Sequence, residues 1–252
     1  MSAEADIWGL VKKELESVMR NQKIGIIAAT ENEIAPFLNH LTDVQTSNHA
    51  MLKFHTGKYF DIDIVALYCG VCKVNAAIAA QILVGNFTIG KVIMVGVAGA
   101  IDTNLNILDT IISDEIIYHD VAQEILTEYH PWMQHPHFIA DRDLRDGIIL
   151  ANADDKTVFT GKMVTGEAFI DQDGREEIIK NHAPSCVDME TASVAHVCYV
   201  NDVPFVSIRS ISDTPHESGN DAVEKYGQAA AGKSVQVLIN YLDSIKDNSC
   251  GI

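Results

Sequence analysis

Apolar residues in this chain gather in short unbroken runs separated by stretches of helical period, and the alternation continues from Lys23 almost to the end. KIGIIAA at 23–29, KVIMVGVAGA at 91–100 and VPFVSIRSI at 203–211 are runs of the kind that predicts strands covered on both faces. Residues 51–58 and 62–68 read as paired strands around a turn near Lys58, residues 109–120 as one or two isoleucine-rich strands, and 157–164 as a strand ending at Thr165-Gly166-Glu167. Between them, helices are expected after Glu31, over NAAIAAQILVG, at 174–181, at 190–200 and at 221–245, where Val235, Leu238, Ile239 and Leu242 form an apolar side. Residues 121–140 have no clear period and are expected to be loop.

Strands alternating with helices throughout predict an α/β fold. The expected form is a single domain over 23–246, with a central mixed twisted sheet flanked by helices. Ile7, Leu10, Val11, Leu15 and Val18 recur at helical spacing, so residues 1–22 are expected to form a helical extension, and 247–252 a tail.

Charge narrows the class of ligand. Lys plus Arg number 18 against 35 Asp plus Glu, and a net charge of -17 repels phosphate backbones and anionic lipids, so neither nucleic acid nor a membrane surface is an expected partner. No stretch reaches the ~18 apolar residues of a membrane span, and Glu4 and Asp6 stand where a secretory signal needs basic residues. Five scattered cysteines fit reduced thiols better than a disulfide framework, and the expected location is the cytoplasm.

Candidate chemistry concentrates in CVDMETASVAHVCYVNDVPFVSIRSISD, residues 186–213, where Glu190 opens a helix and Arg209 and Asp213 lie on and just beyond the next strand. Open α/β sheets bind ligands beyond the carboxyl ends of their strands, and Glu33, just after the first strand, belongs to the same rim. The same positions suit helix capping, so spacing alone leaves both readings open. The turn Gly96-Val97-Ala98-Gly99 could bring backbone N–H groups close to a polar ligand, but it carries neither dinucleotide-binding nor Walker spacing. Cys69-Gly70-Val71-Cys72 reads as a tight strand-to-helix turn with two buried thiols. His135-Pro136-His137 lacks the partners of a zinc site, G-x-S-x-G is absent, and no metal or other cofactor is expected.

Together KIGIIAATENEIAPFL, CGVCKVNAA, VGVAGAI, SDEIIYHD, TGEAFI, VDMETASVAHVC and VPFVSIRSISD follow the order and spacing of the nucleoside phosphorylase and nucleosidase superfamily. Over residues 23–245 the chain most resembles the 5'-methylthioadenosine/S-adenosylhomocysteine nucleosidases. The resemblance implies hydrolysis of the N-glycosidic bond of a 5'-substituted adenosine and a homodimer. It implies that Asp213, steadied by Ser212, is the acid that protonates adenine N7. Glu33 is then the base that activates water, Glu190 the holder of the ribose hydroxyls with Met189 packed on the sugar, and Arg209 the residue that positions Glu190 and the water. Phe169 stacks on adenine and Ile170 bonds it through its backbone; Val97, Ala98 and Gly99 line the site, and Asp188 stands near the ribose.

Some positions depart from the family pattern. Val97 replaces a small hydroxyl residue, Thr30 a methionine, Asp188 a glutamate, and Val223 an aromatic residue of the thioether pocket. Phosphorylase relatives bring arginines to the first and second turns, whereas this chain has Thr30-Glu31-Asn32-Glu33 in the first, which favours water over phosphate. Three alternatives stay open: another purine riboside of futalosine type, phosphorolysis, or nucleoside binding without catalysis.

Overall fold

The structure, a computed structural model, describes residues 22–129, 133–217 and 219–246. The expected helix over residues 5–21 and the tail at 247–252 lie outside the described residues. Strand β1 (Lys23–Ala28) leads to helix α1 (Glu31–Leu38); β2 (Thr42–His49), β3 (Leu52–Tyr59) and β4 (Ile62–Tyr68) follow as a meander, then α2 (Lys73–Asn86). Next come β5 (Ile89–Ala100), β6 (Thr110–Tyr118), α3 (Gln123–Glu128), β7 (His137–Ile139) and α4 (Arg142–Ala151). The chain continues through β8 (Val158–Thr165), α5 (Arg175–His182), β9 (Cys186–Asp188), α6 (Thr191–Val200), β10 (Phe205–Asp213) and α7 (Gly219–Lys246).

The unbroken apolar runs are explained by cover on both faces. In β1, Ile24, Ile26 and Ala28 join a core with Ile34 and Phe37 of α1, Leu144 and Ile148 of α4, and Val235 and Leu238 of α7. Ile27 points the other way, into a second core with Ala76, Ala79 and Leu83 of α2 and Val194 of α6. β5 divides in the same manner, Ile93 and Val95 against Val92 and Met94. Each fully buried aliphatic side chain contributes about 1.5–3 kcal/mol to keeping the three layers together.

The mixed sheet is one sheet in which five strands close on themselves. β5 pairs in parallel with β10, β10 antiparallel with β6, β6 and β8 in parallel, β8 in parallel with β9, and β9 antiparallel with β5. The registers Asp213↔Gly99, Gly99↔Val187 and Thr165↔Asp188 bring the ends of four strands to one place. β1 joins through β5, so the turn before α1 reaches the same rim.

Several elements differ from the sequence reading. Residues 121–140 hold α3 and β7 as well as loop, and β6 is one strand. β2, α4 and β9 were not predicted by the periodicity; β2 is a largely exposed edge strand with few apolar residues. Asp213 is the last residue of β10, inside the strand. Cys69 is buried, but Cys72 is only partly so, at the N-cap of α2 with φ 84°. Cys69, Cys72, Cys186 and Cys198 are free thiols. No helix among the described residues is long and apolar enough to cross a membrane.

Candidate active site

Arg209 is fully buried at the centre of β10, and three carboxylates converge on it: Asp188 Oδ2 at 2.9 Å, Glu190 Oε2 at 3.4 Å and Glu33 Oε1 at 3.7 Å. Burial alone would weaken its charge, yet Asp188, Glu190 and Glu33 outweigh that cost and hold its pKa above the ordinary value. One cation facing three acids leaves the cluster with excess negative charge.

Each acid is held by a different element. Glu33 stands in the first turn of α1, where Thr30 donates to Oε2 through its backbone N–H (2.7 Å) and hydroxyl (2.9 Å), and Val97 N–H donates to Oε1 (2.9 Å). The capping reading and the site reading of Glu33 are therefore both satisfied by one side chain. Such an approach to β5 requires Gly96: its φ is +145°, and a Cβ there would lie 2.4 Å from Glu33 Oε1 and 2.5 Å from Arg209 Nη1.

Glu190, the N-cap of α6, is held across the cleft by the backbone N–H of Cys72, which donates to Oε1 at 2.9 Å from the start of α2. Burial pushes its pKa up to about 7; Arg209 opposes the rise, while Asp188 adds to it. Asp188 is the most firmly tied. Thr165 Oγ1 donates to it at 2.6 Å, Thr191 Oγ1 donates to its other oxygen, and the amides of Glu190 and Thr191 point at it.

Asp213 is apart from this cluster, at the β5–β10 junction. Ser212 Oγ donates to Oδ1 at 2.9 Å, while Oδ2 is buried without a partner. Burial raises its pKa; the Ser212 bond and the charge of Arg175 counteract the rise. Gly99 is again a forced choice, since a Cβ would meet Asp213 Oδ2 at 2.7 Å. Asp213, Gly99, Phe169, Ile170, Asp188 and Met189 line one small cavity. The apolar wall of Phe169 and Ile170 and the buried acid Asp213 thus share one cavity with Asp188, which ties it to the Arg209 cluster.

Most of the residues singled out in the sequence meet here. Val97 donates its N–H to Glu33 and accepts from Arg209 Nη1 through its carbonyl, and the Ala98 carbonyl accepts from Ser212 at 3.5 Å. Val223 does not line the cavity; it is half-buried on α7. Arg209, expected to position Glu190 and the water, has Asp188 as its nearest carboxylate. Sequence reasoning missed the Cys72 amide, Thr191 and Arg175. The Cys72 amide had a signal in Gly70, whose φ of +84° marks the bend that turns the backbone toward Glu190.

Comparison with known proteins identifies the family. Residues 23–243 match the family model described as the phosphorylase superfamily. The 5'-methylthioadenosine/S-adenosylhomocysteine nucleosidase of Maridesulfovibrio salexigens is 34% identical over 230 residues, covering 88% of this chain and 100% of that one. The solved nucleosidase of the same description from Colwellia psychrerythraea, in complex with adenine, has a TM-score of 0.80 at 31% identity and covers 88% of this chain and 95% of its own. The futalosine hydrolase of Helicobacter pylori has a TM-score of 0.81 at 26% identity, covering 89% and 98%. On fold, motifs and these relatives, the chain belongs to the phosphorylase superfamily and, within it, to the 5'-methylthioadenosine/S-adenosylhomocysteine nucleosidases.

Proposed function

We propose that the protein hydrolyses the N-glycosidic bond of 5'-methylthioadenosine, S-adenosylhomocysteine or a related 5'-substituted adenosine, releasing adenine. The observation that carries this reading is one cavity lined by two acids in different settings, Asp213 alone and Asp188 bound to Arg209. Asp213, buried and of raised pKa, can hold a proton against the base-binding wall of Phe169 and Ile170. Glu33 and Glu190, grouped on Arg209, stand where negative charge would face the sugar.

The chemistry follows from that division. The Asp213 carboxyl gives its proton to adenine N7 as the C1'–N9 bond breaks, so the base leaves neutral and is a better leaving group. Positive charge that develops on the ribose is stabilised by the excess carboxylates around Arg209, an interaction strongest in the transition state. Glu33 takes a proton from the attacking water, and Glu190 holds the ribose hydroxyls. A phosphate nucleophile would enter a cluster whose one arginine is already matched by three acids, which disfavours phosphorolysis.

A second copy is part of the reading. Val74 and Ile78, one helical turn apart on α2, are 66% and 46% exposed, and Val71 beside the Cys72 turn is 42% exposed. This apolar stripe begins beside Cys72, whose amide holds Glu190, and suits a homodimer interface. The futalosine hydrolase likeness supports testing a wider group of purine ribosides. Turnover of methylthioadenosine, adenosylhomocysteine, 5'-deoxyadenosine, inosine and futalosine would be compared in phosphate-free buffer. Adenine release from the first three at rates above the others is expected; binding of adenosine analogues with no turnover would sink the enzymatic reading.

A further inference from the structure

Arg175 is a buried cation that the proposed chemistry leaves unused. It is 6% exposed and is the first residue of α5, where the helix dipole favours anions and Glu176 and Glu177 follow. Helix stability does not explain an arginine there. Its Nη1 donates to the carbonyl of Ala100 at the end of β5, and its Nε donates to the carbonyl of Asp171 at 2.9 Å. Its Nη2 is buried without a partner.

Among the described residues only three buried side-chain atoms lack a partner, and another of them is Asp213 Oδ2. Arg175 and Asp213 flank the same short stretch, Gly99-Ala100: Arg175 is bonded to Ala100, and Asp213 Oδ2 is packed against Gly99. Burying a guanidinium with no carboxylate bonded to it is costly, so a use for the charge is called for. The carboxylates that act on it are Asp213 and then Asp171.

We propose that Arg175 is the positioning residue of the general acid: its fixed charge sets the proton affinity of Asp213, and its two carbonyl bonds fasten the base-side wall to the end of β5. This rests on the reading of Asp213 as the acid. When the Asp213 O–H bond breaks and an N7–H bond forms, the electron pair of the C1'–N9 bond passes to the base, and a carboxylate is left in a buried place. The neighbouring guanidinium stabilises that carboxylate, and Asp213 regains its proton from solvent after adenine departs. Burial and Arg175 pull the acid in opposite directions, and their balance decides the pH at which it stops donating.

The test is the pH profile of kcat in two variants. Arg175→Gln keeps hydrogen-bond donors for the carbonyls and loses the charge; its alkaline limb should move up by about one pH unit, with kcat on the acid-side plateau lowered about three-fold because the acid is weaker, and KM little changed. Arg175→Lys keeps the charge, so its limb should stay near that of the wild type. An unmoved limb in Arg175→Gln, or an equal shift in both variants, would overturn the proposal and leave only a brace. If Arg175→Gln does not fold, Arg175→Met, neutral and of similar length, takes its place: an upward limb shift there with an unshifted limb in Arg175→Lys supports the role of the charge, and an unmoved limb in Arg175→Met overturns it. Asp213→Asn is measured alongside: unchanged turnover in it defeats the reading of Asp213 as the acid, whereas an inactive Asp213→Asn with an unmoved Arg175→Gln limb defeats the Arg175 proposal alone.

Discussion

Two glycines fix how close the reacting groups can stand. Gly96→Ala would put a Cβ 2.4 Å from Glu33 Oε1 on a backbone with φ of +145°, so the Glu33–Arg209 approach has to open. We predict at least a ~10²-fold loss of kcat for Gly96→Ala, read by adenine release, because positioning errors of about an ångström cost that much. Asp213→Asn and Glu33→Gln should each cost on the order of 10²–10⁴ in kcat. The wild-type kcat should fall as pH rises through the raised pKa of Asp213, since only the protonated acid donates. Much at this scale was legible: Glu33, Glu190 and Asp213 stand beside strand ends in the sequence, and in the fold the first two converge on Arg209 while Asp213 lines the adjoining cavity. Arg175 was not legible, because its bonds go to backbone carbonyls, one of them 75 residues away in sequence, and carbonyl partners leave no side-chain pattern.

Elements were legible where their apolar period was strong. β1, β5 and β10 are covered on both faces and so read as unbroken runs. β2 has almost nothing to bury and, among the described residues, pairs only with β3, and β9 is three residues long, too short to show a period. α4 had a sequence signal that periodicity did not use. Asp141 caps it, accepting from Leu144 N–H at 2.9 Å, and Leu144 and Ile148 fill the core below. Asp141→Ala should lower unfolding free energy by about 1 kcal/mol in urea titrations, with kcat unchanged because α4 is remote from the cavity.

For the whole molecule, the ring of five strands is the feature that sequence did not reveal, since its closure depends on the short β9 between β8 and β5. The direct pairing of β5 with both β1 and β10 is what brings Glu33 and Asp213, 180 residues apart in sequence, to one rim. The arrangement has a cost in stability. Glu190 has a pKa raised from the ordinary 4.5 to about 7, so its favourable contribution is complete below pH 4.5 and is lost as pH rises through about 7. The unliganded protein should therefore gain stability between pH 8 and pH 5 relative to Glu190→Gln, by on the order of 1–3 kcal/mol in urea unfolding. The stripe of Val74 and Ile78 predicts a dimer in sedimentation velocity that Ile78→Glu dissociates.

The central claim is that water, held by the acids around Arg209, cleaves an adenine riboside. Methylthioadenosine turned over in phosphate-free water labelled with oxygen-18 tests it directly, with the sugar product analysed by mass spectrometry. The account predicts free adenine and one labelled oxygen at C1 of the methylthioribose. Cleavage that requires added phosphate and yields a sugar 1-phosphate, or no release of adenine, would contradict it.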